Sequence, residues 1–135
     1  MGPENDLLNQ VKQALKGLSI PVFYDGHPHE AVYPQVIIDF QNNQERPEIL
    51  RGVEVIKSTI SVDVYTYPED LADLLDFGRQ ATSLVKQVQC QYWESNFDSY
   101  SGRILDDESN EGRPLKRDAL LFNFFVYSIR KESDK

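Results

Sequence analysis

The segment His27-Pro28-His29-Glu30 holds both histidines of the chain. Two imidazoles at i, i+2 beside a carboxylate are donors that zinc accepts, and a zinc-bound water would serve hydrolysis. A third ligand is needed, yet the sequence offers only one cysteine, Cys90, and no further histidine. A Pro-rich loop in solvent is the plainer reading, and a small metal-dependent hydrolase the less favoured one. Asp106, Glu108 and Asn110 imitate the first half of a calcium loop. Its glycine comes one place late, at Gly112, and Arg117 stands where the bidentate Glu belongs. Asp39, Glu54 and Lys57 have the composition of a nuclease acid and Glu-x-Lys set. At a spacing of three on a strand, however, Glu54 and Lys57 face opposite sides. Cys90 lies between Gln89 and Gln91, with nothing nearby to lower its pKa. The glycines are isolated, so no phosphate cradle is formed. The expectation is a protein without catalytic activity, cofactor or metal.

Two charged segments remain. Glu45, Arg46, Glu48 and Arg51 fall in one polar stretch. Asp106, Asp107, Glu108 and Glu111 are followed by Arg113, Lys116 and Arg117 in another. Acid and base so close in sequence either pair with each other or pair with a neighbouring copy, acid of one to base of the next. The candidate interface residues are therefore Glu45, Arg46, Glu48, Arg51, Asp107, Glu108, Arg113, Lys116 and Arg117. Tyr92, Trp93, Phe97 and Tyr100 form an aromatic cluster that serves either sheet packing or an interface. No basic residues interleave it, so it is no stacking platform for nucleic acid.

These residues sit in a chain of 135 residues, a length suited to one domain. Lys plus Arg number 14 against 22 Asp plus Glu, a net charge of −8. Such a balance opposes nonspecific binding to nucleic acid or to an anionic membrane. One cysteine excludes an intrachain disulfide and fits a reducing compartment. Met1-Gly2-Pro3-Glu4 is not a signal-peptide start, Asp6 breaks the myristoylation pattern, and no apolar stretch is long enough to span a bilayer.

The elements that must position the charged segments follow from periodicity. Leu7, Leu8, Val11, Ala14 and Leu15 recur at helical spacing, with Asn5 or Asp6 as cap and Gly17 as stop, predicting a helix over 6–17. Ile20 to Tyr24 reads as a short edge strand and Gln35 to Phe40 as a strand. Residues 42–52 read as an 11-residue hairpin connection. Val53 to Thr66 alternates, with Ile56, Ile60, Val62 and Val64 against Lys57, Thr59, Ser61 and Asp63. Residues 68–89 carry an amphipathic helix opened by Pro68. Tyr92 to Asp98 and Tyr100 to Leu105 read as two strands, and 106–117 as a loop. Asp118 to Arg130 is apolar on both faces, which places it centrally or beneath a second subunit. Residues 1–4 and 131–135 are expected to fray. The fold expected is α+β in the order α-β-β-β-α-β-β-β: a mostly antiparallel mixed sheet of five or six strands with two helices packed on it.

That order has a parallel. A helix leads to Pro21-Val22-Phe23-Tyr24-Asp25, then a Pro-rich loop and Tyr33-Pro34-Gln35-Val36-Ile37-Ile38. A long strand ending Ile60-Ser61-Val62-Asp63-Val64-Tyr65-Thr66 precedes the second helix and the last strands. Over residues 5–130 the chain resembles the tail-terminator or tail-completion proteins of long-tailed, non-contractile bacteriophages, also called tail-to-head joining proteins. The resemblance implies a ring, usually a hexamer, that caps the tail tube and presents a docking face to the head. Its partners would be copies of itself, the tail tube protein and a head completion or connector protein, with DNA only passing through the lumen. It would sit in the virion at the head–tail joint, and in the host cytoplasm during assembly. An acidic lumen would repel phosphate and so not retard passing DNA. The loops at 42–52 and 106–117 would be the docking elements. Another head–tail connector, minor capsid protein or adaptor is the alternative.

Overall fold

A computed structural model describes residues 1–24, 33–46, 52–107 and 113–131. Helix α1 spans Pro3–Leu15 and continues as a 3-10 turn, Lys16–Leu18. Strand β1 is Val22–Phe23, β2 Gln35–Glu45 and β3 Val55–Thr66. A 3-10 turn, Pro68–Asp70, leads into α2, Leu71–Val85. Strands β4, Trp93–Asp107, and β5, Leu115–Arg130, form a long hairpin. The sheet order is β1-β2-β3-β5-β4, antiparallel except for the β1–β2 pair. This is the expected α+β arrangement of two helices on a mixed sheet.

Three sequence expectations are corrected. Tyr92 to Leu105 is one strand, kinked by irregularities between Trp93 and Ser95 and between Phe97 and Ser99. Such bulges bend a strand without ending it, so the weak alternation there looked like two short runs. The connection expected over 42–52 is shorter, because Asn42–Glu45 belong to β2. The loop expected over 106–117 is shorter too, because Asp106 and Asp107 end β4 while Lys116 and Arg117 open β5. Cross-strand partners hold these polar residues in a ladder that local propensity does not reveal.

Register sorts the residues onto two faces. Val36, Ile38 and Phe40 of β2 stand opposite Val64, Val62 and Ile60 of β3. Val62 and Ile60 stand opposite Leu120 and Phe122 of β5. On this face Leu7, Val11 and Leu15 of α1 and Leu74, Ala81 and Val85 of α2 complete one buried core. β5 lies between β3 and β4, yet only one of its apolar faces is buried: Leu121 and Ile129, on the face away from the helices, stay exposed. The opposite face carries polar pairs: Thr59 Oγ1 bonds Asn123 Oδ1 at 2.6 Å, and Asn123 Nδ2 donates to Ser99 Oγ at 3.1 Å. At one end of that face Ile37, Tyr65 and Leu115 form a second small apolar cluster.

Helix α1 begins at Pro3, inside the stretch expected to fray, and Gly2 is its cap. Asp6 does not cap it. Its carboxylate is buried and accepts the backbone N–H of Gln91 at 2.9 Å and of Tyr92 at 2.8 Å. Charge-assisted bonds of this kind tie α1 to the segment entering β4. Gly17 is no helix stop either. It lies inside the 3-10 turn, where a Cβ would make ordinary contact with the Leu84 side chain at 3.4 Å. The left-handed residue that ends the turn is Ser19, at φ 59°.

Gly78 sits in mid-α2 above buried Asp118 of β5. A Cβ at Gly78 would come within 2.1 Å of Asp118 Oδ2. A short Asp side chain cannot yield that much, so the helix would have to rise off the sheet. Gly78→Ala should therefore destabilise the protein by about 1–3 kcal/mol despite alanine's better helix propensity. Asp6→Ala should cost about 1–3 kcal/mol by stranding two backbone donors. Urea unfolding of each variant checks both values, and an unchanged midpoint would contradict either.

Candidate functional site

The described residues of the two charged segments do not meet. Gln35 of β2, Tyr65 of β3 and Arg117 of β5 mark one end of the sheet. Glu45, opposite Ile56, marks the other. Ten residue steps of strand separate Gln35 from Glu45, roughly 34 Å. Glu45 is exposed at its end, and the Arg46 N–H donates to Val55 O at 2.8 Å, closing the ladder there. Glu48, Arg51 and Glu108, with His27, His29 and Glu30, lie outside the described residues.

At the other end acid and base pair within the chain. Lys116 Nζ reaches Asp106 Oδ1 at 2.6 Å across the β4–β5 ladder. Arg117 Nε lies 3.9 Å from Asp107 Oδ2, an ion pair too long for a hydrogen bond. Arg113 Nη2 donates to Glu69 Oε1 at 3.2 Å, and its guanidinium rests 3.7 Å from the centroid of the Tyr67 ring. Both side chains of that last pair are more than half exposed, so it adds little to stability.

Sequence reading missed the neighbours of Arg117. Tyr65 lies beside it on β3, and Asp63 follows on the same face. Burial first of all raises Asp63 to about 6, opposed by Arg117 and reinforced by Asp107, Asp39 and Asp118. Burial likewise pushes Tyr65 up to about 12. Burial works against the Arg117 charge, but its hydrogen bond with Tyr65 and the nearby acids outweigh this, so its pKa rises. The alternation of β3 could have placed Asp63 on this face. Only the register shows that β5 puts Arg117 next to it.

A second missed feature is a groove of about 610 Å³ between α2 and the β4–β5 hairpin. Leu75, Arg79 and Lys86 line it from the helix, Tyr100, Arg103 and Ile104 from β4. Asp118 and Leu120 are among its lining residues from β5, and burial raises the Asp118 pKa. Leu75 is 51% exposed and Tyr100 45%, although Tyr100 stacks on Phe122. The aromatic cluster thus divides. Phe97 packs edge-on against Phe124 in the core, Trp93 donates to Met1 O at 3.2 Å, and Tyr92 and Tyr100 face solvent.

Cys90 is fully buried, and burial first of all moves its thiol up to about 11, so it stays protonated near neutrality. Among the described residues no group of three or more His, Cys, Asp or Glu side chains could hold a metal. No helix among them is long and apolar enough to cross a membrane.

No family model matches the sequence, and no curated protein matches it significantly. Its fold does have a solved counterpart. The chain is similar to one in the structure titled "Virion of native gene transfer agent (GTA) particle". The TM-score is 0.55 at 13% identity, and the match covers 94% of this chain and 98% of that one. The likeness therefore concerns the whole α+β arrangement rather than one motif.

The raised Asp63 pKa gives a prediction with a sign. A carboxyl held near 6 against 3.8 binds its proton more tightly in the folded state. Stability from this group is thus greatest below pH about 4, falls as pH rises to about 6, and is flat above. Asp63→Asn removes that dependence. The melting temperature of the variant relative to the parent should rise between pH 4 and pH 7. A difference constant across that range would contradict this account of Asp63.

Proposed function

We propose that this protein is a structural component of a virion, and within it a tail terminator. It caps a long non-contractile tail tube as a ring of six copies, in the manner of the family it resembles, and it presents the face to which the head docks. The observation that carries the reading is the fold match to a virion chain over nearly the full length of both chains. The placement of the charged segments supports it. A joint protein must contact two different partners, and Glu45 and Arg46 stand at one end of the strands while Arg113 stands at the other. Tail tube on one side and head connector on the other would use these two ends. The reading assigns the protein no catalytic activity and no cofactor. DNA is a passenger in the lumen, and the net charge of −8 suits that.

Purified protein mixed with terminator-deficient tubes of the same phage tests this. Negative-stain images should show a cap at one tube end, tubes of fixed length, and restored joining to heads. Tubes without caps would overturn the reading. Arg113 is a cleaner probe of docking than Arg117, which is tied into the sheet by Tyr65 and Asp107. Arg113→Glu should leave the melting temperature nearly unchanged, because its ion pair is exposed. It should reduce head joining or tube capping about tenfold. Undiminished joining and capping would remove Arg113 from the interface.

A further inference from the structure

Among the described residues the sheet has two open edges, and they match. β4 forms one edge along its whole length, Trp93–Asp107. β1 covers only the start of β2, pairing with Val36 and Ile37. Among the described residues the outer half of β2, from Asp39 to Glu45, has no strand beside it on the opposite side of the sheet. Rows of unpaired backbone N–H and C=O groups recruit another strand. We propose that β4 of one copy pairs with the outer half of β2 of the next copy, continuing the sheet from subunit to subunit. The proposal rests on the ring reading above only for closure of the array.

Direction supports the pairing. β2 is antiparallel to β3, β3 to β5, and β5 to β4. β4 therefore runs opposite to β2. A second copy set beside the first in the same orientation brings these edges together as an antiparallel pair. The contact uses two different surfaces, so it propagates and either closes into a ring or runs on as a fibre. Ladder geometry is available on both sides. The irregularities of β4 end at Ser99, leaving a regular run to Asp107, and β2 is regular from Asn42 to Glu45.

Charge selects the partner. On β4, Asp98, Asp106 and Asp107 are taken by Lys57, Lys116 and Arg117. Arg103 is left without an ion pair among the described residues. On β2, Asp39 is likewise without an ion pair there, its carboxylate accepting only the Phe40 N–H. By register Arg103 stands opposite Ala119 and Asp39 opposite Ser61, on the face away from the helices, and at the open edge Arg103 also borders the groove beside α2. Side chains keep their face in a continued sheet, so Arg103 meets Asp39. A β4–β4 contact would offer Arg103 no Asp39.

Cross-linking tests the pairing. With Arg103 opposite Asp39 in an antiparallel pair, Ser101 lies near Asn42, both on that face. Ser101→Cys and Asn42→Cys proteins are mixed, free at high concentration and on tube ends, and treated with a short bifunctional maleimide. Cys90 is buried and serves as the background in unsubstituted protein. The mixture should give dimers that neither variant gives alone, and the double variant a ladder. Arg103→Glu should reduce cross-linking about tenfold, and adding Asp39→Arg should restore it. Circular dichroism of each variant verifies folding. Dimers from Ser101→Cys alone would overturn the proposal in favour of β4–β4 contact. Capped tubes without cross-links would overturn it and leave the terminator reading standing. A ladder without capping would uphold the edge pairing and sink the terminator reading.

Discussion

The arrangement depends on where α2 can rest. Gly78 lets the helix descend onto Asp118, and any side chain there would collide with the carboxylate. So seated, α2 packs on β3 and β5. α1 is fixed beside it by the shared apolar core and by the Asp6 carboxylate on the Gln91 and Tyr92 amides. Two helices in these positions bury the apolar rows of β2, β3 and β5. They do not reach across β4, and Tyr100 and Ile104 remain exposed. The same packing that makes the core therefore leaves a long edge strand, a groove and one polar sheet face to solvent.

An uncovered edge of this length is a hazard in a protein that acts alone. In a protein that assembles it is an asset, provided charge and register restrict the partner. Here Asp98, Asp106 and Asp107 of β4 are paired within the chain, and bulges disturb the first half of the strand, where Glu94 lies. What is left is a short regular run with one unpaired cation. The charged ends of the strands are roughly 34 Å apart. In the proposed ring, edges directed sideways and charged strand ends would give one subunit two kinds of contact, with its own copies and with unlike partners.

Much of the fold was legible from alternation and helical spacing. The faces of β3 and β5 follow from Ile60, Val62 and Val64 and from Leu120, Phe122 and Phe124, because burial on one face forces a period of two. The polar strand ends were not legible. Asn42–Glu45, Asp106, Asp107, Lys116 and Arg117 have loop chemistry, and only cross-strand pairing makes them strand. The role of Asp6 was misread for a similar reason. An acid at a helix start suits a cap, but here its carboxylate reaches amides 85 and 86 residues away. Of the candidate interface, the charges were visible in sequence. Their separation to opposite ends and the Asp63–Arg117 neighbourhood required the register.

The most direct test of the account is a cryo-electron microscopy reconstruction of the tube end carrying this protein, at a resolution that traces strands. The account predicts a closed ring with the strand axes spanning between partners, the Glu45 end against one and the Arg113 end against the other. A ring in which both ends face the same partner, or in which one end is free in the completed virion, would contradict it.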